Sequence, residues 1–186
     1  MNYYSIALLL HILGALGFFM ALGLEWTGLR QIRRILTSEQ LQEWMRISNN
    51  ARRLGIISML TILASGIYMM ATVWGGVAWL IVALGALVLV ILLSIVTGRR
   101  IAPIRRAMTK EIGPASPTLH SLANHPLLWI SIQTRLAIAL GIVVLMTVKP
   151  DLGGSLLVIA ITSVIGLVVS LPMPRRAQES PAPDLK

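Results

Sequence analysis

The chain has 186 residues, of which 56% are apolar and only 12% charged, with a formal net charge of +9 and a mean hydropathy of +0.80. A soluble domain carries about 25% charged residues; half that number leaves too little polar surface to coat a globule, which excludes a soluble enzyme, a secreted toxin or a disordered chain. The absence of cysteine excludes disulfides, thiolate metal sites, iron–sulfur clusters and cysteine nucleophiles.

A helix needs about 20 apolar residues to cross the hydrocarbon core, and five stretches qualify. The first, Tyr3 to Leu24, has nothing basic before it and no small-x-small site before Glu25 and Trp26. It therefore reads as a retained helix rather than a cleaved signal peptide. His11 lies eight residues in, about 12 Å below the end of the span at 1.5 Å per residue. Gly14 and Phe18 share its face. A neutral imidazole there can ligate a metal such as haem iron or relay a proton; it can equally hydrogen-bond a neighbouring helix, with Gly14 and Gly17 permitting close approach. Glu25 closes the span on the same face as His11 and is expected to pair with Arg30 or another loop arginine.

Trp26 to Arg53 is too charged to cross. Thr37 and Gln40 fit a capping box, with Glu39 and Glu43 in the first turn. Leu41, Trp44, Met45 and Ile47 give a partly apolar face, which predicts a short helix lying on the membrane surface and leading into the second span. That span, Leu54 to Trp74, carries Ser58, Thr61, Ser65, Tyr68 and Thr72 on one stripe. Small hydroxyl stripes serve helix packing, but Tyr68 is too large for a close seam and is a candidate donor to a ligand near the depth of His11. Gly75-Gly76 leads directly into the third span, Val77 to Thr97, predicting a tight antiparallel hairpin.

The second charged loop, Gly98 to Pro126, holds four prolines and the pair His120 and His125. Their spacing of five exceeds the three or four of helical metal pairs, so both read as solvated. In the fourth span, Leu127 to Val148, Arg135 lies eight residues in. Its side chain leans toward the helix N-terminus. It either snorkels to the headgroups or stays buried and takes an anion from a ligand, since the spans themselves supply no carboxylate. Lys149 closes the span on the Arg135 stripe. Lys149-Pro150-Asp151-Leu152 with Gly153-Gly154 is strong turn chemistry, and the fifth span runs from Gly153 to Leu171. The spans make one domain over residues 1–171; residues 172–186, with four prolines, read as a disordered tail. No internal repeat supports an inverted-repeat transporter.

Fourteen of the sixteen Lys and Arg residues fall in the two long loops and the tail. The positive-inside rule then predicts the N-terminus outside and the C-terminus in the cytoplasm of a bacterial inner membrane. The net charge is accounted for by the lipid bilayer, with anionic lipid at the Arg-rich loops, and needs no nucleic acid.

Two patches resemble a known group. His11-Ile12-Leu13-Gly14-Ala15, and the apolar run from Ile142 ending in Lys149-Pro150, are similar to the signatures of small bacterial membrane proteins that include the HemJ-type protoporphyrinogen oxidases and the CopD-like copper-resistance proteins. The likeness is to the uncharacterised members of that group, since a fifth span follows Lys-Pro. It implies a helical membrane fold, functional roles for His11 and Lys149, and haem b tied to the histidine. Residues and resemblance together predict an all-α bundle of five transmembrane helices. Its candidate cofactor residues are His11, Tyr68, Arg135 and Lys149, with His11 the candidate metal ligand. Three functions stay open: a haem- or tetrapyrrole-linked redox protein, an accessory or assembly subunit of a larger membrane complex (or a homo-oligomer), and a small permease or metal-handling protein.

Overall fold

The computed structural model describes residues 3–32, 38–110 and 126–170, and every regular element among them is helical. These are α1 (Tyr3–Ile32), α2 (Ser38–Met69) with a π-helical last turn (Met70–Trp74), α3 (Ala78–Lys110), α4 (Pro126–Val148) and α5 (Leu152–Ser170). Five of them are long and apolar enough to cross a membrane. The proposed capping residue Thr37, the pair His120 and His125, and the tail 172–186 lie outside the described residues.

At the end of the bundle holding the two short turns, helix limits and predicted spans agree within a residue or so. At the arginine-rich end the helices run on. α1 continues past Leu24 to Ile32, and α3 past Thr97 to Lys110. Among the described residues no separate surface helix precedes the second span: Ser38 to Met69 is one uninterrupted helix. Hydropathy marks where lipid begins, whereas Leu, Glu, Gln and Arg sustain helical geometry well beyond it. At 1.5 Å per residue α2 measures about 48 Å, far more than the roughly 30 Å hydrocarbon core.

The helices divide into two packed groups. α1 and α2 form one, and α3, α4 and α5 the other, with α4 the most enclosed. The α1–α2 seam is close because its side chains are small. A Cβ on Gly14 would stand 3.2 Å from both the Ile62 nitrogen and the Ser58 carbonyl, and one on Gly17 would collide with the Ser58 hydroxyl. α4 and α5 approach in the same way: a Cβ on Gly166 would stand 2.7 Å from the Thr134 Cα. In lipid, where apolar surface is not expelled, such close contact is the main source of helix association.

The expected tight hairpin of the second and third spans is absent, although only Gly75 to Val77 separates the π-helical turn from α3. Gly75, at φ 64°, ψ −160°, takes a conformation essentially restricted to glycine and turns the chain sharply. Beyond that point α2 follows the small residues of α1 and α3 follows α4, so α2 and α3 do not pack along their length. They meet through side chains of a central apolar cluster that includes Phe18, Ile62, Leu87, Val90 and Ile138. Toward the arginine-rich end the two groups enclose a cleft.

Candidate functional site

The cleft is a cavity of about 630 Å³ between α1, α2, α3 and α4, within the range of small-molecule sites. Its limits on three helices agree: Phe18 to Leu29 on α1, Arg52 to Leu63 on α2 if Ser48 at the rim is set aside, and Ile91 to Ala102 on α3. Each is twelve residues, whose eleven rises span about 16 Å of helix, close to half the thickness of a roughly 30 Å hydrocarbon core. The walls are mostly aliphatic. The polar groups are Glu25, Ser48, Arg52, Ser94, Thr97, Arg99 and Arg135.

Arg135 is the organising residue. Leaning toward the start of α4, as helical side chains do, it donates from one terminal nitrogen to a Glu25 carboxylate oxygen at 2.6 Å and from the other to Ser94 Oγ at 3.1 Å. Its side chain is only 4% exposed, while that of Glu25 is 31% exposed. Nε has no protein partner. Two expectations are thereby corrected. The guanidinium is buried in the bundle and does not wait for a ligand to supply its counter-ion, because the carboxylate just past the end of the first span serves that purpose. Nor does Glu25 pair with Arg30: the Arg30 guanidinium sits 3.6 Å from the centre of the Trp26 ring, and Trp26 in turn stacks on Trp129 of α4. Near the same end of the bundle Thr97 and Ser131 hydrogen-bond across α3 and α4 at 2.5 Å.

The other predicted residues lie apart from the cleft. His11 Nδ1 is 3.1 Å from Ser65 Oγ. That hydroxyl also lies 2.5 Å from the Thr61 carbonyl and 3.2 Å from the Ile62 carbonyl, to either of which it can donate. The ring is buried, with its Cε1 edge 3.4 Å from where a Cβ on Gly66 would stand. Tyr68 is 41% exposed and borders a shallow groove with Tyr3, Ile6 and Leu10. His11 lines neither that groove nor the cleft. The imidazole packs against Gly66 of α2 with Nδ1 beside Ser65, and among the described residues it belongs to no group of three or more His, Cys, Asp or Glu side chains that could hold a metal ion.

Lys149 ends α4 with its amide bonded to the Leu145 carbonyl at 2.9 Å. Its φ of 51° makes it the one non-glycine with positive φ among the described residues. Its ammonium stands 4.1 Å from the centre of the Trp74 ring, tying the two turns together. No described contact joins it to His11.

Sequence reasoning thus found Arg135 and missed Glu25 as its partner, together with Ser94, Arg52 and Arg99. The signal for Glu25 was present, since a cation inside a span requires an anion at similar depth and no other carboxylate lies so near a span on that side. Arg52 and Arg99 were hidden in loop arginines that all read alike. Comparison with known proteins adds no functional residue: no family model, curated protein or solved structure matches this chain.

Proposed function

We propose that this protein is a multi-pass component of the bacterial inner membrane that binds an amphipathic small molecule in the cleft between its two helix groups. In this reading the N-terminus and both short turns face outward and the arginine-rich end faces the cytoplasm, following the distribution of Lys and Arg. The observation that carries it is the cleft itself: mostly aliphatic walls, a buried guanidinium among them, and rim residues such as Ile56, Leu60 and Ile95 that are largely exposed. Those exposed side chains flank an opening toward lipid between α2 and α3. Access from the bilayer suits an apolar molecule with a polar end, and fits a small carrier or lipid-handling protein better than a redox enzyme built around His11.

Native mass spectrometry of the protein extracted in mild detergent tests the reading. Gly98 lines the cleft, and a Cβ there meets no atom within 4 Å, so Gly98→Phe fills space without disturbing a helix contact. The wild type is expected to carry an amphiphile that the variant lacks; identical spectra would reject the cleft as the binding site. Orientation is tested by placing single cysteines at Asn2 and Ser121 in a chain with none of its own. Labelling of Ser121 from outside intact cells would reverse it.

A further inference from the structure

The polar groups of the cleft are unbalanced in charge. Three arginines, Arg52, Arg99 and Arg135, line it against one carboxylate, Glu25. Glu25 is committed to Arg135. Among the described residues Arg52 and Arg99 enter no ion pair. They come from α2 and α3, the two helices that fail to pack on each other, and both lie toward the end of the cavity away from the bilayer centre. Below them the cavity continues for about 12–16 Å, by the rise of 1.5 Å per residue, along walls that are mostly aliphatic and carry Glu25, Ser94, Thr97 and Arg135 as their polar groups. Between them and the deep end, Arg135 contributes a buried Nε–H with no protein acceptor.

We propose that the cleft is a site for one anionic phospholipid, admitted sideways between α2 and α3, with its phosphate held by Arg52 and Arg99 and an acyl chain along the aliphatic wall. The inference rests on the proposed cleft-binding function and gives that site its ligand class. Guanidinium groups bind phosphate through paired, charge-assisted hydrogen bonds, and basic pockets between transmembrane helices on the cytoplasmic side suit anionic headgroups. The shape of the cavity distinguishes a lipid from a free phosphate. A soluble anion needs only the rim, whereas this pocket extends one leaflet deep and opens toward the hydrocarbon.

Delipidated protein in detergent is titrated with dioleoyl phosphatidylglycerol, with dioleoyl phosphatidylethanolamine, and with glycerol 3-phosphate, and bound lipid is read by native mass spectrometry. One phosphatidylglycerol should be retained, with a preference of roughly tenfold or more over phosphatidylethanolamine. Arg52→Gln with Arg99→Gln should lower phosphatidylglycerol retention and remove the preference, and lysine at both positions should restore most of it. Glycerol 3-phosphate should not displace the lipid. Equal retention of the two lipids by the wild type, both lost in Gly98→Phe, would overturn the anionic assignment while keeping the cleft as a binding site. Lipid retention unaffected by Gly98→Phe would overturn both. Displacement by glycerol 3-phosphate would assign the arginines to a soluble anion and overturn the lipid.

Discussion

The α1–α2 seam and the cleft use polar residues in opposite ways. In the seam, His11, Ser58 and Ser65 are buried beside Gly14, Gly17 and Gly66, and the helices close on them. In the cleft, Glu25, Arg52, Arg99 and Arg135 belong to four helices that leave a cavity between them. A polar side chain within a span is therefore a poor guide to function until its neighbours are known. Small neighbours let it become a packing contact, and large neighbours on helices that diverge leave it facing space.

The largest effect expected is at the ion pair. Glu25→Leu strands a guanidinium that is only 4% exposed, and breaking a buried pair by removing one partner costs about 3–5 kcal/mol. Arg135→Leu should cost clearly less, because the Glu25 carboxylate is 31% exposed and lines the cavity. The double variant should regain most of the stability lost by Glu25→Leu alone. Reversible unfolding in mixed micelles gives the three values. Equal losses from the two single changes would mean that Arg135 is hydrated through the cleft and that the asymmetry of burial carries no energetic weight.

Seam and cleft also make opposite forecasts for glycine. Gly14→Val pushes a branched side chain against the Ser58 carbonyl and the Ile62 nitrogen, backbone groups 3.2 Å from its Cβ position. Overpacking of this kind costs about 1–3 kcal/mol. Gly98→Val meets nothing within 4 Å and should stay within about 0.5 kcal/mol of the wild type. A comparable loss at Gly98, measured by the same unfolding assay, would show that the cleft closes in the membrane.

Lys149 lies in the turn between α4 and α5, where its ammonium meets Trp74 beside the turn that joins the two helix groups. Lys149→Ala removes the contact with Trp74, about 0.5–1 kcal/mol at an exposed position, and leaves alanine in the left-handed conformation. Lys149→Gly loses the same contact but relieves a strain of roughly 1–2 kcal/mol. The glycine variant should therefore be more stable than the alanine variant in thermal melts. The reverse order would show that the backbone at this turn does not hold its φ of 51° against the substitution.

The sequence revealed the number and order of the spans because hydropathy is a local property and a helix crossing lipid must satisfy its own backbone. Trp74, Ala78, Val148 and Leu152 all lie within four residues of turn glycines or a proline, so those helix ends were legible too. Which helices pair was not. Gly75-Gly76 brings two chain ends together, but the partner of α2 is decided by Gly14 and Gly17, about sixty residues from the turn. Arg135 was legible as an anomaly, while its partner lies 110 positions away, a distance no periodicity spans. Lys149 stood out through its resemblance to a known motif, and its observed role at the end of α4 is a cap and an aromatic contact.

The smallest effect expected is at His11. The bond from His11 Nδ1 to Ser65 Oγ joins neutral groups within a packed seam, and such interhelical bonds average about 0.6 kcal/mol because the separated helices also find partners. His11→Ala and Ser65→Ala should therefore show a coupling of that size in a double-mutant cycle, with the protein still inserted and still able to retain lipid in the cleft. His11→Ala is not read alone, since it also opens a void beside Gly66, where the ring edge now packs; the cycle subtracts that void because it is common to both backgrounds. A prosthetic group on the imidazole would make a different prediction. Its loss would abolish a Soret band and exceed the coupling to Ser65 many times over, and Ser65→Ala, which leaves the ring in place, would shift the spectrum without removing it. A colourless wild type with a coupling near 0.6 kcal/mol would leave His11 as a bond between helices, and the chemistry of the molecule in the cleft.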